Sequence, residues 1–497
     1  MKRVFNEYSY KKGAAVSVAS TALWKLVSFA NSILIAFWFG TSYGADLYFY
    51  LIILAGIFTQ VFLSLNTNNI IPQAMHLGAG DKQGEIKFLN CFIVFYMVFG
   101  VLLCLAGAAA PAMWLGLLSR FDYGGMAARA LFCLALVYFA LYILTQFLIN
   151  ILERHKVFGI AYFYPLNAIM PFIFLVVLHD KIGIAGMLCG FIAALAIQAI
   201  ICLAVMFGKL GWKVEFAGAG FTKQFWHNTL ASLGAEAVQV LTSFIPVFFM
   251  SGYAAGIVSA YNYSKQVTDS PTEIITNRVV NVAKINFNDL AAKGDNAGLA
   301  KSFYKTLLIL LLIMSPIAVF TGLFAQDIIR LFFERGSFSA ADTKNTALFV
   351  TLFMPNIILL LPSFLHRALA SAARKLKEFF IYQIISMAVF LLAIFVCMGR
   401  MEAYGYPVAF IISNIFWLGF AFMFMKRHFN FISHGRTLRI LFQVAFLACA
   451  AVIPSLLIER FFSVLIVRIF ICGALYVTLF ALLARAAYIK IWRKLCH

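Results

Sequence analysis

The chain has 497 residues, 63% of them hydrophobic and 12% charged, with 39 Lys+Arg against 19 Asp+Glu and a formal net charge of +20. A mean hydropathy of +0.93 excludes an ordinary water-soluble protein and points to membrane spans throughout the chain.

Lys2, Arg3, Lys11 and Lys12 precede a first apolar run at 14–38. That run is too long for the core of a cleaved signal peptide and reads as a retained signal anchor. Further runs of spanning length follow at 45–73, 88–110, 126–151, 158–178, 182–206, 226–250, 254–284, 304–325, 344–370, 379–398, 405–425, 438–457 and 464–486. The predicted fold is therefore all-α and polytopic, with about fourteen transmembrane helices. With the N-terminus inside, the cytoplasmic side collects Lys82, Lys87, Arg154, Lys156, Lys209, Lys213, Lys223, Lys293, Lys301 and Lys305. Arg374, Lys375, Lys377, Lys426, Arg427, Arg436, Arg439, Arg485, Lys490, Arg493 and Lys494 fall on the same side. The outer loops are sparser by comparison, with Lys181 in one and Arg400 in another. This is the positive-inside pattern, with both termini cytoplasmic. It accounts for the basic excess without nucleic-acid binding.

Nine cysteines lie mostly within apolar runs and form no CxxC pair, so they read as packing residues. No Walker A motif, no H-E-x-x-H and no metal-ligand spacing occurs. The expectation is a non-enzymatic protein without cofactor or metal.

Two loops repeat. HLGAGDKQGEIKF follows the second run and LAAKGDNAGLAKSF the eighth. Both contain G-D-x-x-G-x-x-K, as Gly80, Asp81, Gly84 and Lys87 and as Gly294, Asp295, Gly298 and Lys301, an offset of 214 residues. NNIIPQAM from Asn68 and NRVVNVAK from Asn277 lie just upstream, and FGTSYGADLYFY loosely parallels MSGYAAGIVSAYNY. An offset of six spans leaves both halves in one orientation, which predicts a parallel transporter repeat about an axis along the membrane normal. The expected domains are an N-lobe at 1–223, a C-lobe at 224–430 and a C-terminal helix pair at 431–497.

Polar residues concentrate in the first, second, seventh and eighth runs. The eighth carries Tyr261, Lys265, Asp269, Glu273 and Asn277 at intervals of four, with Gln266 and Arg278 beside them. A charge at the bilayer centre costs roughly 2.5–3.5 kcal/mol even on a lenient scale. This face reads either as a cavity wall for a polar substrate or as a self-neutralised network that sets packing. Lys265 and Asp269 are spaced for an ion pair, and Pro271 removes a backbone hydrogen bond beside them. The second run offers Gln60, Ser64, Thr67, Asn68 and Gln73, with Asp46 at its outer end. Asp46 is either functional or an N-cap after Gly44. Lys25 and Asn31 lie in the first run and Glu236 in the seventh. Lys25 can snorkel to the cytoplasm or meet an anionic headgroup, and Glu236 is a candidate proton or cation site. Ser339-x-x-Asp342 reads as a capping box starting a helix.

The stretch FFERGSFSAADT resembles the outer-loop signature of the MurJ/MviN lipid II flippase family, within the multidrug/oligosaccharidyl-lipid/polysaccharide exporter superfamily. Phe39-Gly40 followed by Asp46, the GIVSAYNY stretch and the Gly-Asp loop are also similar to it. The resemblance implies alternating-access export of an undecaprenyl-diphosphate-linked saccharide across a bacterial inner membrane. It implies a cationic cavity in which Lys25 stands for a first-helix Arg, Asp46 for the outer Asp and Arg335 for the loop Arg. Where that pattern has further arginines this chain has Asn31, Thr59, Gln60 and Gln266, and Ser64 falls near its second-helix Glu. The less cationic cavity favours an exopolysaccharide or capsule repeat unit over lipid II. The expected ligand set is Lys25, Lys265 and Arg278 for the diphosphate, with Gln60, Asn68, Gln266, Asp269 and Glu273 for sugars, and Asn31 as a further substrate-binding candidate. Asp46 or Glu236 is available for cation or proton coupling. Membrane lipids and the envelope glycan synthesis machinery are the expected partners. The alternatives are a cation-coupled drug or metabolite antiporter of the same superfamily and a non-transporting scaffold of an envelope-assembly complex.

Overall fold

A computed structural model describes residues 10–121, 125–216, 221–373 and 375–496. Lys2, Arg3 and Arg374 lie outside the described residues, as do the side chains of Lys11, Lys12, Lys377, Lys490, Arg493, Lys494 and Cys496. The described residues are helical, without strands. They divide into two compact units, Met1–Ser259 and Ala260–His497.

The first unit contains α1 (Tyr10–Phe39), α2 (Tyr43–Leu65), α3 (Ile71–Gly80), α4 (Lys82–Ala109) and α5 (Pro111–Leu118). It continues with α6 (Met126–Arg154), α7 (Leu166–Ile182), α8 (Ala185–Lys209) and α9 (Lys223–Met250). Phe88, Tyr96, Phe147, Leu148 and Phe225 are buried in its core. α9, expected at the head of a second lobe, packs along α2 in this unit. α10 (Ile257–Pro271) begins at the division between the units. The second unit continues with α11 (Asn277–Ala292), α12 (Asn296–Leu323), α13 (Ala325–Phe333) and α14 (Ala340–Ala372). It ends with α15 (Leu376–Met401), α16 (Gly405–His428), α17 (His434–Ile458) and α18 (Leu465–Cys496). Its core is built from Phe303, Leu307, Phe349, Val350, Leu365 and Phe424. The α17–α18 pair is tied to α13 by an ion pair between Arg468 and Asp327.

Among the described residues, twelve segments are long and apolar enough to cross a membrane. One of these, 378–428, takes in both α15 and α16, and the polar α10–α11 stretch is not among the twelve. The expected figure of about fourteen counts that stretch as a span and takes α15 and α16 separately.

Both Gly-Asp loops are helix starts. Asp81 caps α4 by accepting from the Gln83 amide at 2.9 Å, and Asp295 caps α12 by accepting from the Gly298 amide at 2.8 Å. The second glycine of each motif makes room for the capping carboxylate. A Cβ on Gly84 would lie 2.6 Å from an Asp81 oxygen, and one on Gly298 2.2 Å from an Asp295 oxygen. The parallel extends one turn further. Asn90 donates to the carbonyls of Lys213 and Glu215 at 2.8 and 3.0 Å. Tyr304, 214 positions on, donates to the Ser433 carbonyl at 3.1 Å and accepts from its amide at 2.6 Å. Each residue thus clamps the chain just after a long helix, α8 in the first unit and α16 in the second. Each half also breaks its polar span with a π turn, Asn66–Ile70 between α2 and α3 and Thr272–Thr276 between α10 and α11.

Gly84→Ala and Gly298→Ala should each displace a cap and cost about 1 kcal/mol, the usual value of a lost N-cap. The two losses should add, because the loops belong to separate units. Thermal unfolding of the single and double variants in detergent checks this, and variants as stable as the parent would show that the glycines do not serve the caps.

Candidate transport site

α2 begins with Ser42, whose hydroxyl accepts from the Ala45 amide. The cap is therefore Ser42, and the N-cap reading of Asp46 is corrected: Asp46 lies inside the first turn and points elsewhere. Only 1% exposed, its carboxylate accepts from the Gly256 amide at 2.6 Å, the Ser259 amide at 2.7 Å and the Ser259 hydroxyl at 2.5 Å. Those amides are unpaired donors at the start of α10, where a helix favours negative charge. Gly256 has φ +94, and a Cβ there would meet the Thr41 hydroxyl oxygen at 2.7 Å, so the turn accepts only glycine. Nearby, the Arg120 amide donates to the Ser251 hydroxyl at 2.9 Å. The Arg120 guanidinium lies 5.0 and 4.7 Å from the ring centres of Phe248 and Phe249.

The other expected residues of the first unit are dispersed. Lys25 in α1 is half-buried, with its ammonium 5.0 Å from the Trp24 ring centre. Asn31 is buried and donates to the Ala168 carbonyl at 2.9 Å, so its donor serves packing between α1 and α7. Gln60 and Asn68 are exposed, Asn68 donating to the Ser64 hydroxyl at 3.0 Å. Glu236 is half-buried on α9. Two neighbours that sequence reasoning passed over tie the π turn down. Asn66 accepts from the Tyr96 hydroxyl at 2.6 Å, and Asn69 donates to the Ser232 hydroxyl of α9 at 2.8 Å. The only signal for them is the run of amides in Asn66–Ile70.

In the second unit Lys265 and Asp269 form the expected ion pair, at 2.7 Å. The Lys265 ammonium also lies 5.4 Å from the Phe353 ring centre, and Tyr261 packs against Phe349, Phe353 and Tyr406. Gln266 is half-buried beside the pair. The straight polar face expected from 261 to 277 does not continue past Pro271. The π turn closes i→i+5 rather than i→i+4 bonds and rotates the residues beyond it about the helix axis. Tyr261 is buried and Lys265 and Asp269 half-buried, whereas Glu273, Asn277 and Arg278 are exposed. The Ser339/Asp342 capping box forms in full at the start of α14. Beside it Arg335 is exposed and donates to the Leu331 carbonyl at 2.5 Å.

The family model for the lipid II flippase MurJ matches residues 35–476. The chain belongs to that family. Consistent with this, it is 22% identical over 361 residues to a probable lipid II flippase MurJ of Borreliella burgdorferi, covering 70% of each protein. Its fold is similar to a solved lipid II flippase MurJ in an inward closed conformation, with a TM-score of 0.77, 16% identity, and coverage of 95% of this chain and 100% of that one. A multidrug resistance MATE transporter of the MOP superfamily, inward-facing, is similar at a TM-score of 0.67 and 14% identity, covering 84% of this chain and 98% of that one. As a MurJ family member the chain is a multi-pass membrane flippase of a lipid-linked precursor, not an enzyme.

Asp46→Ala should cost roughly 3 kcal/mol, since it strands donors that were bonded to a buried charged acceptor. Asp46→Asn, which keeps one acceptor oxygen, should cost about half as much. Thermal unfolding in detergent reads both, and an Asp46→Ala variant as stable as the parent would show that this clasp does not hold the start of α10. The half-exposed Lys265–Asp269 pair should show a coupling of only about 0.5–1 kcal/mol in a double-mutant cycle on stability. A coupling of several kcal/mol would mean that the pair is a packing element and not a substrate contact.

Proposed function

We propose that the protein carries an undecaprenyl-diphosphate-linked saccharide from the cytoplasmic to the outer leaflet, and that this cargo is the peptidoglycan precursor lipid II. Transport proceeds by alternating access of an N-lobe at 1–223 and a C-lobe at 224–430, with 431–497 appended. The observation that carries this reading is the MurJ family match across 35–476, a range that includes the polar residues of α2, α9 and α10–α11. Lys25 just precedes that range. Lys25, Lys265 and Arg278 supply positive charge for the diphosphate. Gln60, Asn68, Gln266 and Glu273 supply hydrogen-bonding groups for the sugars, Gln60, Asn68 and Glu273 from exposed positions. An anionic headgroup moving outward gains roughly 2.3 kcal/mol per charge per 100 mV of membrane potential. Of the two acidic residues considered for cation coupling, Asp46 already accepts from three donors, which favours Glu236.

A second reading, an exopolysaccharide or capsule repeat unit, has a specific observation in its favour. The Lys265 charge is balanced by Asp269 at 2.7 Å, and Lys25 lacks the bidentate fork of an arginine. The same ion pair weighs against a drug antiporter, which needs an acidic site, because Asp269 is neutralised by its neighbour.

The deciding experiment places the chain in a bacterium depleted of its own lipid II flippase. Restored growth with lipid II accessible at the outer leaflet is expected. Growth failure, together with accumulation of a different lipid-linked glycan when the chain is depleted in its own host, would transfer the cargo to the second reading. Lys25→Ala and Arg278→Ala should each lower transport at least tenfold. If both leave it unchanged, these residues do not bind the cargo.

A further inference from the structure

The π turn Asn66–Ile70 is built from residues that suit neither a helix interior nor a bilayer. Asn and Thr are poor helix formers, and an amide at membrane depth must find a partner. Asn66, Asn69 and Ile70 are buried, whereas Thr67 and Asn68 between them are exposed. The two buried amides are bonded to different helices. Asn66, 0% exposed, accepts from the Tyr96 hydroxyl of α4 at 2.6 Å. Asn69, 8% exposed, donates to the Ser232 hydroxyl of α9 at 2.8 Å. The turn is therefore held at both ends by side chains outside it.

Those bonds fix its register. Relaxing the i→i+5 turn to ordinary i→i+4 bonds would rotate the residues beyond it by one residue step, roughly 100° at 3.6 residues per turn. Asn69 would then leave Ser232, or Asn66 would leave Tyr96. The exposed pair between the two ties has a definite chemistry. The Thr67 hydroxyl donates to the Leu63 carbonyl at 2.9 Å, which spends its one donor. The Asn68 amide donates to the Ser64 hydroxyl at 3.0 Å, which orients it. Each keeps an acceptor oxygen to offer. Two neighbouring acceptors complement a ligand rich in donors, as the hydroxyl and acetamido groups of a saccharide are.

We propose that Asn69 is a positioning residue for transport. Through Ser232 it holds the π register that aims Thr67 and Asn68 at the cargo, where their oxygens accept from saccharide hydroxyl or amide N–H groups. This role rests on the flippase reading, to which it adds Thr67 as a sugar contact and Asn69 with Ser232 as the pair that places it.

Two measurements on the full chain in lipid test it. Hydrogen exchange over residues 66–72 needs no cargo and reads local opening of the turn. Asn69→Ala and Ser232→Ala should each speed it at least threefold, and the double variant should be no faster than either single one. Transport in proteoliposomes is measured with lipid II, or with the lipid-linked repeat unit if the depletion experiment assigns that cargo. Both variants should raise KM at least threefold and leave kcat within twofold, the mark of lost binding and not of lost folded protein. Ser232→Thr, which keeps the hydroxyl, should return both readouts to the parent's values. Ser232→Ala carries the test if Asn69→Ala does not fold. Unchanged exchange, a fall in kcat at constant KM, or a Ser232→Thr variant that behaves like Ser232→Ala would each overturn the role while leaving the flippase reading intact. A parent that moves neither glycan would sink the flippase reading itself, and the role with it.

Discussion

A polar group carried to membrane depth must find a partner, because hydrocarbon offers none and an unpaired group costs several kcal/mol. The helices of this protein are arranged by how that requirement is met. Asp46 does so most fully, with three donors from the turn and first residues of α10 on one buried carboxylate. The same logic joins Tyr96 to Asn66 and Gln198 to the Phe163 carbonyl. In the second unit it joins Asn414 to Asn356 at 2.8 Å. Each tie links segments that apolar packing alone would leave free to slide, since lipid competes with side chains for apolar contact. Polar pairs therefore set register, and the apolar surface of α4 and its neighbours sets only solubility in the bilayer.

The repeat obeys the same division of labour. What the halves share is polar and local: the Asp81 and Asp295 caps, the glycines that admit them, and the Asn90 and Tyr304 clamps. What they do not share is how the interior behind the cap is filled. In the first unit buried Glu85 approaches Arg154 at 3.4 Å; 214 positions on stands Leu299, which is simply buried. The two halves thus keep the device that starts a helix and vary the interior. Because the shared device is a short local one, the motif is visible in sequence while the surrounding identities are not.

This also explains what was legible. The spans, the Gly-Asp loops, the Ser339–Asp342 box and the Lys265–Asp269 pair each depend on residues within a few positions of one another, so spacing reveals them. The partner of Asp46 lies 210 residues along the chain, and no local pattern connects them; spacing near Gly44 suggested a cap for the wrong helix. The π turns were hidden for another reason. A single i→i+5 turn leaves the composition of a span unchanged and shifts only the register after it. Pro271 gave a hint of the turn at Thr272–Thr276, while nothing comparable precedes Asn66–Ile70. A straight face running to Asn277 requires 3.6 residues per turn throughout, and the turn at Thr272–Thr276 departs from that.

Both constraints meet in α2, since one helix serves two solvents. Its apolar stripe from Leu51 to Phe62 meets α4 and α6 across a dry cleft, and its exposed positions Gly56 and Gln60 turn away from that cleft. Its two ends are pinned by polar bonds, Asp46 at one and Asn66 with Asn69 at the other. A helix held at both ends and unfilled along one side can shift by compressing the cleft without breaking its end contacts. Apolar contacts are weak and non-directional, whereas each charged hydrogen bond is worth roughly 1.5–3 kcal/mol. Motion of α2 during transport should therefore be taken up first on the cleft side, and the Asp46 bonds should yield last.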